Sequence, residues 1–186
     1  MNPTSNKSDF EELTTNLKDL AYSYLEKYSP SKQQLKVFLL KKYLTKIKGT
    51  VSKREVSMII DEIIINLEKN RIVNDELYSD SKARMFLRRG YSLNKINQSL
   101  RNKGIDSKYI KQTIDKIKED EIEPDFVSAL KLCKRRRIGP LRPDDNRELF
   151  YKKDMGILAR GGFSFDLSKR VLDLDKAEFN KLIKLI

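Results

Sequence analysis

A capped helix start recurs three times along this chain, and this internal repeat constrains the fold more than any other feature. Three serines are each followed, four and eight residues later, by two residues that would share one face of a helix. They are Ser31 with Leu35 and Leu39, Ser92 with Ile96 and Leu100, and Ser164 with Ser168 and Leu172. A second capped helix follows each stripe, beginning at Ser52, Asp106 or Asp175. Serine and aspartate side chains accept from the free N–H groups of a helix's first turn, so these positions predict helix starts. The pattern indicates an array of small helical modules.

The apolar residues between the caps follow the period of an α-helix. The clearest stripe contains six residues at spacings of three and four: Val56, Ile59, Ile60, Ile63, Ile64 and Leu67. That spacing places all six side chains on one face of about four helical turns. Strand-like alternation of apolar and polar residues never extends beyond a few residues. We therefore predict an all-α fold.

We divide the predicted helices into three tandem three-helix repeats, at residues 9–70, 74–120 and 124–186. Residues 1–8 are expected to be a disordered N-terminal tail, and an insertion near residues 138–149 interrupts the third repeat. A three-helix unit of roughly 50 residues has too small a core to be firmly stable alone. Stacking the repeats buries the remaining apolar faces, so we expect an elongated body that can be straight or curved.

The residue types that the sequence lacks argue against catalysis. There is no histidine, which removes the most common general base and zinc ligand. The single cysteine, Cys133, cannot form an intramolecular disulfide and is more typical of a small buried residue than of a reactive thiol. The seven glycines are scattered and form no phosphate-binding loop. We expect no enzyme activity, no cofactor and no metal, and a cytoplasmic location because the N-terminus is polar.

The basic residues are clustered, and the clusters are the candidate binding surface. The 39 Lys and Arg residues against 27 Asp and Glu give a net charge of +12, which favours a polyanionic partner. Residues 27–54 and 81–105 contain basic residues and no acidic ones. The candidate binding residues are Arg84, Arg88, Arg89, Lys95, Arg101, Lys103, Arg135, Arg136, Arg137, Arg142, Arg160, Lys169 and Arg170. The structural alternative is that these cations are solvated, or paired with acidic residues of a neighbouring repeat.

Two stretches of the sequence resemble the RecX family. The central stretch is Val73-Asn74-Asp75-Glu76-Leu77-Tyr78-Ser79, then Arg84 and Arg88-Arg89-Gly90-Tyr91-Ser92, then Leu100-Arg101-Asn102-Lys103-Gly104-Ile105. The C-terminal stretch is Ala159-Arg160-Gly161-Gly162-Phe163-Ser164-Phe165-Asp166, followed by Arg170-Val171-Leu172. Asn74-Asp75 stands where the family usually has an acidic pair, and a second glycine precedes Phe163. Neither departure alters the expected fold.

The resemblance implies both an architecture and a function. RecX proteins consist of three tandem three-helix repeats and lie in the helical groove of the filament that the RecA recombinase forms on single-stranded DNA. They block extension of the filament or destabilise it, and they suppress its ATPase, co-protease and strand-exchange activities. For this chain we therefore expect binding to the RecA filament, contact with single-stranded DNA directly or within the filament, no membrane contact and a monomeric state.

Two other functions are consistent with a basic helical repeat protein. The first is direct binding of DNA or RNA, with affinity for naked nucleic acid that changes little when RecA is present. The second is peripheral membrane binding through basic amphipathic helices. We rank membrane binding last because the apolar stripes have the width that packing against other helices requires.

Overall fold

The computed structural model describes residues 3–46 and 51–186, and within these ranges every regular element is a helix. The predicted all-α fold is therefore confirmed for the described residues. In chain order the helices are α1 (Pro3–Leu25), α2 (Lys32–Lys46), α3 (Lys53–Lys69), α4 (Asp75–Arg88), α5 (Leu93–Arg101), α6 (Ser107–Asp120), α7 (Pro124–Arg136), α8 (Asp144–Arg160), α9 (Phe165–Leu172) and α10 (Lys176–Lys184). A 3₁₀ turn at Gly139–Leu141 lies between α7 and α8.

The described residues form two compact units. The first consists of the residues up to Tyr78 together with Lys103–Asp106. In it α1, α2 and α3 pack against one another. All six residues of the stripe predicted on α3 are buried, which confirms that prediction. Each buried aliphatic side chain stabilises the unit by roughly 1.5–3 kcal/mol, so this face of α3 is a main source of its stability.

The second unit consists of Ser79–Asn102 and Ser107–Ile186. Here α5 packs against α6, while α9 packs against both α7 and α8, and α10 packs against α7. Leu130, Leu158, Leu172 and Phe179 are among the largest fully buried side chains, and they come from α7, α8, α9 and α10. The core of this unit therefore lies among its last four helices.

The predicted helix starts are confirmed where the structure shows their caps. Ser52 and Glu55 form a capping box, and Ser31 forms another with Gln34 at 3.1 and 3.2 Å. Each of three further side chains accepts from the N–H three residues ahead: Ser92 from Lys95, Ser164 from Leu167, and Asp175 from Glu178. These five helix starts are thus encoded by one residue and its close sequence neighbours.

The third predicted repeat contains one helix more than expected. After α7 the chain turns at Arg137, whose φ is +52°, and α8 begins at Asp144, inside the predicted insertion. Residues 124–186 therefore contain four helices, and the boundaries of the repeats remain a prediction.

The expected N-terminal tail also differs, because residues 3–8 belong to α1. Pro3 is its first residue, a position where proline's fixed φ suits a helix and its missing N–H has no cost. Residues 1 and 2 lie outside the described residues.

In each unit a backbone N–H of one predicted repeat donates to a carboxylate of the next. In the first unit the Lys32 N–H donates to Asp75 Oδ1 at 2.9 Å, 43 residues away. In the second unit the Leu93 N–H donates to Asp125 Oδ1 at 2.7 Å, 32 residues away. In both cases the donor is the residue immediately after a capping serine, and the carboxylate lies in the first turn of the first helix of the next predicted repeat. We call these two bonds the repeat latches.

We predict that the latch at Asp125 stabilises the second unit. Asp125→Ala leaves the Leu93 N–H without its acceptor and should lower the free energy of unfolding by about 1–2 kcal/mol, whereas Asp125→Asn keeps an oxygen acceptor and should cost less than about 0.5 kcal/mol. Urea denaturation followed by circular dichroism measures both variants. Equal losses for the two variants would show that the charge, and not the hydrogen bond, is what matters.

The latches also predict a pH dependence. Burial raises the pKa of Asp75 and of Asp125 above the usual value of 3.8, more than their hydrogen bonds lower it. The folded state therefore holds these protons more tightly than the unfolded state does, so the contribution of these groups to stability falls as pH rises through the window above 3.8. Because other carboxyls have lowered pKa values, the measurement is the difference in unfolding free energy between the native protein and Asp75→Asn/Asp125→Asn. Relative to that variant, the native protein should gain stability as the pH is lowered from about 6 to about 4, a range that spans this window. A flat or opposite difference contradicts the assignment.

Candidate functional site

The turns of two predicted repeats interlock in the second unit. The Ser92 N–H donates to the Gly161 carbonyl at 3.1 Å, so the α4–α5 turn lies against the α8–α9 turn. Gly162 has a φ of +91°, and a Cβ at this position would collide with Ser92 Oγ. Gly90 has a φ of +69°, and a Cβ at this position would collide with the backbone of α7 at Leu132. Glycine is required at both positions because the backbone is left-handed and the approach is close.

A cavity of about 390 Å³ opens beside these interlocked turns. Its walls are formed by Tyr91, Leu132, Ile157 and Gly161. Four cations complete its lining: Lys95 of α5, Arg135 and Arg136 of α7, and Arg160 of α8. No acidic residue contributes to the lining. We call this site the basic cleft.

The electrostatics of the basic cleft favour an anion. Within the described part of the chain, none of its four cations has a carboxylate within ion-pair distance. Arg136 and Arg160 lie in the last turns of their helices, where the helix dipole favours a positive charge. Lys95 is the third residue of α5, where the dipole disfavours one. A cation at a helix start, facing three arginines, is stabilised when an anion binds between them.

Tyr91 has a mainly structural role in the wall of the cleft. Its ring packs edge-on against Phe86 with a centroid distance of 5.6 Å. The Arg135 guanidinium lies over the same ring, 5.7 Å from its centroid. This cation–π contact holds one arginine of the cleft in place without neutralising its charge. Tyr91 thus supports the basic residues more than it offers a free face for stacking.

Three of the sequence-predicted basic residues are engaged with carboxylates. Arg142 donates to both oxygens of Asp154, from Nε at 2.6 Å and from Nη2 at 2.7 Å. Asp154 is only 1% exposed and also accepts from the Gly139 N–H. Arg170 pairs with Glu123 at 2.7 Å, and Lys169 pairs with Asp173 at 2.5 Å. Arg142 has a structural role because its carboxylate partner is buried, whereas Lys169 and Arg170 pair with exposed carboxylates. None of the three lines the basic cleft.

The remaining candidates lie outside the cleft lining. Arg84, Arg88 and Arg89 are exposed at the end of α4 and directly after it, and Arg137 is exposed after α7. Arg101 donates from Nε to Asn97 Oδ1 at 2.8 Å on its own helix. Lys103 belongs to the first unit, where its carbonyl accepts from Ser31 Oγ. The structure thus brings together four of the predicted residues, namely Lys95, Arg135, Arg136 and Arg160.

Thiol chemistry, metal binding and membrane insertion find little support in the described residues. Cys133 is buried, and burial raises the pKa of its thiol to about 12, so it carries no thiolate at neutral pH. No group of three potential metal ligands occurs within residues 3–46 and 51–186. Nor does any helix described there have both the length and the hydropathy that a membrane span needs.

Comparison with known proteins identifies the family. The profile described as "RecX, second three-helix domain" matches residues 74–114. The chain is 32% identical to "Regulatory protein RecX" of Myxococcus xanthus over 165 residues, which cover 88% of this chain and 87% of the relative. The chain belongs to the RecX family. RecX regulatory proteins of Corynebacterium efficiens and Clostridioides difficile are 32% and 29% identical over 62% and 69% of this chain, and over 57% and 58% of their own lengths.

A solved RecX structure supports the fold. The chain is similar to the protein in "Crystal structure of regulatory protein RecX", with a TM-score of 0.61 over 92% of this chain and 77% of that one. Sequence identity between the two is 18%, so this likeness establishes the architecture alone. The helical fold of the RecX family is therefore retained here.

We predict that the two kinds of arginine in this RecX protein differ in their effect on stability. Arg142→Ala leaves the buried Asp154 carboxylate without its partner and should lower the free energy of unfolding by about 3 kcal/mol. Arg136→Ala removes an exposed cation and should change it by less than about 0.5 kcal/mol. Thermal and urea denaturation measure both effects. Similar stabilities for the two variants would show that the Arg142–Asp154 pair has no structural role.

Proposed function

We propose that this RecX-family chain binds the RecA recombinase filament on single-stranded DNA and restrains its activity. The effects that we assign to it are reduced filament extension, ATPase, co-protease and strand-exchange activity. The observation that carries the proposal is the basic cleft, in which four cations without ion-pair partners among the described residues surround one cavity in a member of this family. The chain acts by binding and not by catalysis.

The cleft suits a partner that presents phosphates or carboxylates. Arginine forms two parallel hydrogen bonds with either group, and three of the four cleft cations are arginines. A filament of recombinase and DNA offers both anions at regular intervals. Several weak interactions repeated along such a polymer add up to strong binding.

Direct binding of nucleic acid is the second candidate function, because the same cleft would accept the phosphates of naked DNA or RNA. The two functions differ in what RecA contributes. A filament regulator binds the RecA–DNA complex much more tightly than DNA alone, whereas a direct nucleic-acid binder has similar affinity for both.

We predict that reversing the charge of the cleft weakens filament binding. Arg136→Glu/Arg160→Glu should lower the affinity for RecA filaments on an oligonucleotide at least about tenfold, because two attractive interactions become repulsive. Fluorescence anisotropy of the labelled protein measures affinity, and the DNA-dependent ATPase of RecA at substoichiometric protein measures the effect. The slope of log affinity against log salt should fall by roughly one for each phosphate that the variant no longer binds.

The matched control is Lys181→Glu/Lys184→Glu. These lysines also lie in the last turn of a helix, and the pair changes the net charge by the same amount. Equal losses for the two double variants would show that the cleft is ordinary solvated surface. The proposed function is wrong if the unaltered protein has no effect on RecA at any ratio. Tight binding to naked DNA that RecA does not alter would favour the second candidate.

A further inference from the structure

The helix start at α9 lacks the acceptor that the equivalent helix starts have. Lys32, Leu93 and Phe165 each follow a capping serine, and the first two donate to the latch carboxylates Asp75 and Asp125. Within the described residues, the Phe165 N–H has no side-chain acceptor. The Phe165 ring is 69% exposed, whereas Leu93 is partly buried. The third copy of this helix start thus presents an unused donor beside an exposed aromatic ring.

An apolar cavity of about 500 Å³ lies next to this helix start, between α8 and α9. Most of its lining is apolar or small: Tyr151, Met155, Gly156, Ala159, Phe163 and Phe165, with Lys152 and Ser168. Ser168 holds the position that Leu35 and Ile96 hold in the other two copies, and both of those side chains are fully buried. The smaller serine leaves space where the other copies are filled.

Ser168, which lines the cavity, has a hydroxyl that is a second polar group without a partner among the described residues. Its side chain is 1% exposed, and its hydroxyl has no hydrogen-bond partner within the described part of the chain. A buried hydroxyl without a partner costs about 1–3 kcal/mol, and a ligand that supplies a partner removes that cost. The unused Phe165 N–H and the Ser168 hydroxyl therefore indicate the same site independently.

We propose that the start of α9 docks the acidic start of a helix from the partner protein. The partner's aspartate accepts from the Phe165 N–H, an apolar side chain beside that aspartate enters the cavity, and a polar atom of the same partner segment bonds the Ser168 hydroxyl. The two latches supply the chemistry of this occupant, because Asp75 and Asp125 both lie in the first turn of a helix, and Asp125 is followed by the buried Phe126. This inference rests on the proposed function, in which the partner is a RecA protomer.

The docking site should depend less on charge than the basic cleft does. Lys152 and the positive end of the α9 dipole attract a carboxylate, while Asp166 in the first turn of α9 opposes it. Apolar burial at Phe165 and in the cavity therefore contributes much of the affinity. Loss of this site should weaken binding at low and at high salt alike, unlike loss of the cleft.

Two substitutions at Phe165 separate the ring from the N–H group. Phe165→Ala removes the ring alone, and Phe165→Pro removes the ring and the donor. Proline is favoured at the first position of a helix, and Ser164, with ψ at 160°, already has the extended backbone that a following proline requires. We predict that alanine weakens binding to RecA filaments about fivefold, and that proline weakens it about tenfold more, as expected for a hydrogen bond to a charged group.

Lys176→Ala and Lys176→Pro are the matched controls. Lys176 is exposed and follows the capping residue Asp175 at the start of α10, so the same pair of substitutions should leave filament binding unchanged. Ser168→Leu restores the residue type found at Leu35 and should block the cavity, weakening filament binding about tenfold. Because Phe165 is exposed, its two variants test the site even if Ser168→Leu disturbs the packing.

The possible outcomes distinguish this inference from the proposed function. Equal filament affinity for Phe165→Ala and Phe165→Pro would overturn the docking site, while inhibition of RecA by the unaltered protein would still support the proposed function. If the unaltered protein does not bind the filament at all, both proposals fail. If the Phe165 variants instead abolish self-association seen by sedimentation equilibrium, the occupant is a second copy of this chain and the assignment to RecA is wrong.

Discussion

The fold depends on a hydrogen bond between a carboxylate and the first N–H of a helix in another repeat. Helices α2 and α5 have no acidic residue in their own first turns, and α5 is only nine residues long. A helix of that length is not stable alone in water, and its free N–H groups need acceptors. Asp75 and Asp125 supply this acceptor, each from the first helix of the following repeat. When one repeat folds, it therefore supplies the missing acceptor at a helix start of the previous repeat. The repeats stabilise one another in this way and do not merely lie side by side.

Local features of the sequence predicted most of the helices because capping acts over three residues. Ser52, Ser92, Ser164 and Asp175 each bond a backbone N–H three positions ahead, so the residues that decide the helix start lie together in the sequence. The α3 stripe is equally local, since its period alone fixes the buried face. The extra helix in the third repeat escaped prediction because Arg137 and Pro143, and not a clear cap, separate α7 from α8.

Contacts between distant residues could not be predicted in this way. The latches join residues 43 and 32 positions apart, and no period or motif connects them. Asp75 and Asp125 each lie in the first turn of a helix, where an acidic residue also fits simple stabilisation of its own helix. Likewise, clustering of charge along the chain suggested thirteen candidate cations, but only folding decides which of them meet. The four in the basic cleft come from three helices.

Burial of the counter-ion, and not the type of residue, separates the structural cations from those free to bind. Arg142 and Arg136 are both part of one basic stretch, yet Arg142 faces a carboxylate that is 1% exposed while Arg136 faces solvent and the cleft. Releasing Arg142 would leave the Asp154 carboxylate as an uncompensated charge in the interior, so Arg142 is unable to exchange Asp154 for a ligand. The exposed cations have no such constraint. The net charge of the chain therefore overstates the charge that a partner can use.

One short turn supports both of the surfaces to which we assign binding. Gly161 lines the basic cleft, and two residues later Phe163 lines the cavity beside α9. The turn is held by the bond from the Ser92 N–H and by the close approach that Gly162 permits. Two sites fixed to one rigid turn bind a partner with less loss of conformational freedom than two independent ones, since ordering the turn is already complete in the free protein. Moderate affinity at each site is then sufficient for stable binding to a repeating polymer.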